Sequence, residues 1–138
     1  MTRQADQRRV VAVVEDDSSM RTSLERLLNA HGFLTQGFSS AEAFLHRDTT
    51  SRIGCLVLDI HLEGMSGIEL RQRLKDAGSR LPVIFITAVD DAALEQQGAK
   101  AGCIAYLHKP FPAALLIDAV NRALGPAPTA SRPAVSIR

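Results

Sequence analysis

The sequence predicts an α/β fold, with a doubly wound, five-stranded parallel β-sheet and five helices on its two faces. Five short apolar runs alternate with five segments whose apolar residues have helical spacing. This alternation is typical of a parallel sheet, because each parallel connection needs a crossover segment. The apolar runs are residues 10–14, 33–38, 53–58, 82–86 and 103–107, and the helical segments are residues 18–30, 39–45, 66–75, 90–101 and 112–124.

In the first half of the chain, the first apolar run is all valine except Ala12, which is typical of a strand covered on both faces. The helical segment 18–30 follows and is closed by a His-Gly pair. Residues 33–38 are more polar and predict an edge strand. Glu42 stands three residues after Ser39, and this spacing predicts a capping box at the start of the second helix.

In the second half, the third apolar run ends at an aspartate, and Ser66 with Glu69 has the capping-box spacing at the start of the third helix. Pro82 is compatible with a strand because it is the first residue of its run. An alanine-rich helix over 90–101 is closed by a glycine, and a proline lies in the first turn of the last helix.

The composition predicts one domain at residues 9–124, an N-terminal extension at 1–8 and a flexible tail or linker rich in Pro, Ala and Ser at 125–138. The 16 Lys and Arg residues nearly balance the 15 Asp and Glu residues, which gives no reason to expect specific nucleic-acid or membrane binding. No apolar run approaches the roughly 20 residues of a membrane span, and no signal peptide is evident. We therefore expect a cytoplasmic protein.

The two cysteines are expected to be small buried apolar residues in a reducing compartment. Cys55 and Cys103 each lie in a stretch that is interpreted as a buried strand, and neither has another cysteine or a histidine at zinc-ligand spacing.

Polar residues follow four of the five predicted strands. In a doubly wound sheet, the carboxyl ends of the strands meet at one edge, where functional groups gather. The residues that would meet there are Glu15, Asp16 and Asp17 after the first strand, Asp59 after the third, Thr87 after the fourth, and His108 and Lys109 after the fifth.

Such a cluster suits phosphoryl transfer. Glu15, Asp16 and Asp59 would repel one another, and a hard divalent cation such as Mg²⁺ relieves that repulsion. Lys109 adds a second positive charge, so that the Asp59 carboxylate can attack phosphorus and form an acyl phosphate. Thr87 could then donate a hydrogen bond to a phosphoryl oxygen.

Five motifs resemble, in order and spacing, those of the receiver domains of two-component response regulators: V-V-E-D-D at 13–17, L-V-L-D at 56–59, G-M-S-G at 64–67, F-I-T-A at 85–88 and Y-L-H-K-P at 106–110. The resemblance covers nearly all of the chain outside the tail. It implies a flavodoxin-like, CheY-like fold with strand order 2-1-3-4-5, and the motifs look closest to the FixJ/NarL branch.

The resemblance also implies roles for individual residues. Asp59 would be the phosphoacceptor and a ligand of Mg²⁺ or Mn²⁺. Asp16 would be a direct ligand, the backbone carbonyl of His61 another, and Glu15 an acidic group acting partly through water. The phosphodonor would be a sensor histidine kinase, and Lys109 would complete the site.

A conformational switch is implied as well. Thr87 would move toward the phosphoryl group and Tyr106 would turn from exposed to buried, which would reshape the surface of the fourth helix, fifth strand and fifth helix (residues 90–124). That surface would contact a downstream effector, a tethered output domain or a second copy of the chain in a phosphorylation-dependent homodimer.

The sequence departs from the family pattern at two positions, with Glu15 where Asp is more frequent and Glu63 where many members have proline. We hypothesise that His61 and Val89, each two residues beyond a site residue, tune the lifetime of the acyl phosphate because they flank the path of an attacking water.

Several alternatives remain open from the sequence. The leading function is a single-domain receiver that is not an enzyme, except that it catalyses its own phosphorylation and dephosphorylation. The chain could instead be the receiver half of a FixJ/NarL-type DNA-binding transcription factor, or a phosphatase with an aspartyl nucleophile. Thr87 could also be an ordinary strand end, Lys109 a turn residue and Tyr106 half-buried core.

Overall fold

The structure is a computed structural model that describes residues 10–48 and 52–125. All strand pairings in the sheet are parallel, and the strand order is β2-β1-β3-β4-β5. The strands are β1 (Val10–Val14), β2 (Leu34–Phe38), β3 (Ile53–Asp59), β4 (Val83–Thr87) and β5 (Ala105–His108). The helices are α1 (Ser18–Ala30), α2 (Ala41–Leu45), α3 (Gly67–Asp76), α4 (Ala92–Ala101) and α5 (Ala113–Leu124).

This architecture confirms the predicted fold class and strand order. The predicted edge strand, β2, does lie at an edge of the sheet. The predicted extension at 1–8 and the tail beyond Gly125 lie outside the described residues. Within the described part of the chain, no helix combines the length and the apolar character that crossing a membrane requires.

Two apolar cores cover the two faces of the sheet, because successive side chains of a strand point to opposite faces. Val11 and Val13 of β1 pack with α1 and α5, whereas Ala12 and Val14 pack with α2 and α3. The first core includes Leu24, Leu28, Leu116 and Val120, and the second includes Phe44, Leu58, Leu70 and Phe85. Helices on both faces leave the polar carboxyl edge of the sheet as the place where function can reside.

The predicted capping box of the third helix is confirmed, since Ser66 and Glu69 accept hydrogen bonds from each other's backbone N–H groups. The prediction for the second helix was wrong. Ser40, not Ser39, is the N-cap of α2 and accepts from the N–H of Ala43. The side chain of Glu42 is therefore not part of a cap, and it accepts a hydrogen bond from the distant Met65 instead.

The two cysteines differ. Cys55 is fully buried in β3, and burial raises the pKa of its thiol to about 12, as expected for an inert core residue. Cys103 is only partly buried and precedes β5, so the prediction that it lies in a buried strand was wrong. The physical reason is that the chain enters the sheet two residues later, at Ala105, after the turn that follows α4.

Candidate functional site

The carboxyl ends of four strands bring the predicted site residues to one edge of the sheet. Glu15 directly follows β1, Asp59 and Thr87 are the last residues of β3 and β4, and Lys109 directly follows β5. The backbone joins the last two, since the N–H of Lys109 donates to the carbonyl of Thr87 over 2.7 Å. The peptide bond between Lys109 and Pro110 is cis.

Three carboxylates form an acidic pocket at this edge. One oxygen each from Glu15, Asp16 and Asp59 lies within 4.8 Å of the other two. Glu15 and Asp59 are buried, with 1% and 5% of their surfaces exposed, whereas Asp16 is exposed to solvent.

Lys109 is the cation that faces this pocket. Its Nζ lies 2.9 Å from Oε1 of Glu15, within hydrogen-bond distance, and 3.6 Å from Oδ2 of Asp59. The second carboxylate oxygen of Glu15 accepts from the N–H of Asp17 over 3.1 Å. Both carboxylate oxygens of Glu15 thus accept hydrogen bonds from other residues of the protein.

The environment of Glu15 raises the pKa of its carboxyl group above the ordinary value. Burial is the main cause, and repulsion by Asp59 acts in the same direction. The hydrogen bonds from Lys109 and from the N–H of Asp17 oppose this shift without cancelling it. The raised pKa means that this site favours the neutral form of the Glu15 carboxyl group more than water does.

Asp17 is not part of the pocket. Its side chain caps α1, accepting from the N–H groups of Ser19 and Met20. Arg21, one turn into that helix, donates to the carbonyl of Glu15 over 2.7 Å and holds the end of β1 in place.

The loop after β3 (residues 60–66) approaches Asp59 closely. The N–H of His61 donates to Oδ1 of Asp59 over 3.1 Å, and the N–H of Gly67 donates to the carbonyl of Ile60. A Cβ at Gly67 would collide with the backbone carbonyl of Asp59, so only glycine fits there. Sequence reasoning noted Gly67 in a motif but missed this steric role, which depends on two segments meeting in space.

Thr87 is completely buried, and its Oγ1 accepts from the N–H of Val89 over 3.1 Å. Val89 itself is 41% exposed. The hydroxyl of Thr87, at the carboxyl end of β4, is therefore already hydrogen-bonded to the loop that follows.

Tyr106 is partly buried, and its ring packs against the backbone of α4, where a Cβ at Gly98 would lie 3.0 Å from the ring. Its hydroxyl is buried and has no hydrogen-bond partner within the described ranges. The ring also lies edge-on to Phe85 and His108. Tyr106 lies on β5, which pairs with β4, the strand that carries Thr87.

The donor set of the pocket fits a hard divalent cation. All three side chains offer carboxylate oxygens, which Mg²⁺ and Mn²⁺ prefer, and their mutual repulsion is a reason to bind one. Because both oxygens of Glu15 are engaged, Asp16 and Asp59 are better placed as direct ligands. The carbonyl of His61 as a further ligand stays a prediction.

The strand order, the acidic pocket and the lysine that faces it are together typical of one class of signalling domain. A comparison with known protein families leads to the same class. The model of the family described as "Response regulator receiver domain" matches residues 11–121. This chain belongs to that family, the receiver domains of two-component systems. The resemblance drawn from the five motifs is thereby confirmed.

Its relatives include transcriptional regulators. The chain is 42% identical over 114 residues to the transcriptional regulatory protein TdiR of Thauera aromatica and 37% identical over 113 residues to FixJ of Rhizobium meliloti. These matches cover 83% and 82% of the chain but 50% and 55% of the relatives. The chain thus spans about half the length of the curated relatives it matches.

Solved structures show the same similarity. The N-terminal part of FixJ matches with a TM-score of 0.78 and 36% identity over 83% of this chain and 92% of that one. A receiver protein from Burkholderia phymatum matches with a TM-score of 0.74 and 41% identity over 86% and 98% of the two chains.

Proposed function

We propose that this receiver domain accepts a phosphoryl group on Asp59 from a phosphohistidine of a sensor histidine kinase. The observation that carries the proposal is the position of Asp59, whose carboxylate lies 3.6 Å from the ammonium group of Lys109 and within 4.8 Å of two further carboxylates. An oxygen of Asp59 attacks phosphorus, the phosphorus–nitrogen bond breaks, and the bonding electrons leave with the imidazole.

Asp16 and Asp59 would hold Mg²⁺ or Mn²⁺, with Glu15 as the third acidic group and the His61 carbonyl as a further ligand. When bound, the ion supplies positive charge that offsets the charge of the phosphoryl oxygens. Lys109 supplies charge from the other side, and the N–H of His61 holds Oδ1 of Asp59 in a fixed orientation.

The proposed response is a shift between two states of the domain. Thr87 gives up its hydrogen bond with the N–H of Val89, and its hydroxyl donates a hydrogen bond to the phosphoryl group. Tyr106 on the next strand starts from a partly buried position, not from the exposed one that was expected, and becomes more deeply buried. The surface of α4, β5 and α5 changes with them. We propose that this surface controls an effector protein, a tethered output domain or a homodimer, in a cytoplasmic protein that catalyses only its own phosphorylation and dephosphorylation.

Intact-mass spectrometry after incubation with Mg²⁺ and a small phosphoramidate donor tests the proposal. We expect one added phosphoryl group on the wild type and none on Asp59→Ala. Asp118→Asn is the matched control, because this exposed carboxylate of α5 pairs with Arg122 and is not one of the three pocket carboxylates. An unmodified wild type, or an adduct that persists in Asp59→Ala, contradicts the proposal.

A second candidate is the receiver half of a DNA-binding transcription factor. It is favoured by the names of relatives such as TdiR and FixJ, which are called transcriptional regulatory proteins, and by their length, of which the matched segments cover only 50% and 55%. Sequencing the gene beyond the codon for Arg138 distinguishes the two candidates. An uninterrupted reading frame that encodes a helix-turn-helix supports the second one, and a stop codon there supports the single-domain receiver.

A further inference from the structure

The loop that follows Asp59 is held at two points by side chains from other parts of the chain. The N–H of Glu63 lies 3.4 Å from Oδ2 of Asp16 in the acidic pocket. Two residues later, the N–H of Met65 donates to Oε2 of Glu42 over 2.9 Å. Glu42 lies in the first turn of α2, outside the pocket. The loop therefore spans the distance between the acidic pocket and α2.

Gly64 lies between the two attachment points and allows the second one. Its φ of 77° lies in the left-handed region, which favours glycine. A Cβ at this position would lie 2.7 Å from Oε2 of Glu42, so any larger residue would force the carboxylate away from Met65. The hydrogen bond between Glu42 and Met65 therefore requires glycine at position 64.

The bond between Glu42 and Met65 involves a charged acceptor. The N–H of Met65 is the main cause that lowers the pKa of the Glu42 carboxyl group, with smaller contributions from Arg73 and His46. Glu42 is consequently ionised at neutral pH, and hydrogen bonds to ionised acceptors are stronger than those between neutral groups.

We infer that Glu42 is a positioning residue that sets the place of the 60–66 loop relative to the acidic pocket and thereby the affinity for a divalent cation. This inference rests on the proposed function. The loop carries His61, which orients Asp59, and Glu63, which contacts Asp16. Without the anchor at Met65, both contacts lose part of their fixed geometry, because a loop with one attachment fewer between its two ends samples more conformations.

Mn²⁺ titration monitored by electron paramagnetic resonance tests the inference on the full chain. We expect Glu42→Ala to bind Mn²⁺ about three- to tenfold more weakly than the wild type, the range for one lost hydrogen bond. Glu42→Gln keeps an amide oxygen that can accept from Met65, so we expect it to restore part of the affinity, but less than the ionised acceptor of the wild type provides. Glu95→Ala is the matched control, since Glu95 occupies the first turn of α4 and is exposed.

Amide hydrogen exchange adds a readout that needs no metal. Glu42→Ala should accelerate exchange at Met65 and Glu63, with little change in β3. Gly64→Ala should have the same effect in the wild type and a smaller one in the Glu42→Ala background, because the displaced carboxylate is then absent.

The inference is overturned if Glu42→Ala has the same Mn²⁺ affinity and exchange rates as the wild type. It is also overturned if Glu42→Gln restores none of the Mn²⁺ affinity that Glu42→Ala loses. If the wild type binds no Mn²⁺ at all, the proposed cation site is wrong, and so is the effect of Glu42 on cation affinity. The exchange rates then report only whether Glu42 holds the loop. The two failures are therefore distinguishable.

Discussion

Lys109 lies nearer to Glu15 than to Asp59: its Nζ is 2.9 Å from Oε1 of Glu15 and 3.6 Å from Oδ2 of Asp59. The ammonium group of Lys109 is thus hydrogen-bonded to the most deeply buried of the three pocket carboxylates. Asp59 is left with the weaker attraction and with two negative neighbours. This imbalance has consequences for stability, for pH dependence and for the response to phosphorylation.

Asp59→Asn should stabilise the metal-free protein. The substitution removes a charge that Glu15 and Asp16 repel and keeps Oδ1 as an acceptor for the N–H of His61. We expect the free energy of unfolding to rise by about 1 kcal/mol. This is only a fraction of the energy with which two close charges repel each other near a protein surface. Urea unfolding at pH 7.5 with a chelator measures it. Asp118→Asn, at an exposed site, should change stability by less than about 0.5 kcal/mol, and a destabilised Asp59→Asn would contradict the prediction.

The stability of the metal-free protein should depend on pH through Glu15. Since the pKa of Glu15 is raised in the folded state, the native protein keeps this proton at pH values where the unfolded chain has lost it. The resulting stabilisation is fully present below the ordinary value of 4.5 and is lost as pH rises through the raised value. As pH rises from 4 to 8, the unfolding free energy of the wild type should therefore fall relative to that of Glu15→Gln. A difference independent of pH would contradict this.

Thr87→Ala should separate phosphorylation from the response. The variant keeps Asp59 and Lys109, so the mass adduct should still form, but no hydroxyl is present to reach the phosphoryl group. Tyr106 is the single tyrosine of a chain without tryptophan, so tyrosine fluorescence reports on this residue alone. We expect the emission to change on phosphorylation in the wild type and in Thr87→Ser and to stay constant in Thr87→Ala. An equal change in all three proteins would exclude the proposed coupling.

The lifetime of the acyl phosphate should depend on His61 and Val89. Val89→Glu places a carboxylate near the path of an attacking water, and we expect dephosphorylation to become about three- to tenfold faster, a modest general-base effect. His61→Asn should alter the rate as well, because a smaller side chain opens that path. Leu115→Glu is the matched control, since Leu115 is also an exposed apolar residue (49%) but lies on α5. Unchanged lifetimes in both variants would refute the hypothesis.

Much of the fold could be predicted because its signals are local. The valine-rich run of β1 and the Ser66–Glu69 capping box depend on residues a few positions apart, and the structure confirms both. The prediction for the second helix failed because two local signals compete. Ser39 and Ser40 can both cap a helix, and the structure selects Ser40, which releases the Glu42 side chain to contact Met65, 23 residues away.

The sequence by itself determined the fold class, the strand order implied by its motifs, and the convergence of Glu15, Asp16, Asp59, Thr87 and Lys109 at one edge, because parallel strands place their carboxyl ends together. Only the tertiary structure decided how these groups pair. Three relationships depend on distances of a few ångströms between segments far apart in the chain. Lys109 is hydrogen-bonded to Glu15 and lies farther from Asp59, Gly67 has no room for a side chain beside Asp59, and Glu42 holds the following loop. Residue spacing carries no such information, since side-chain contacts form only when the two apolar cores have set the helices against the sheet.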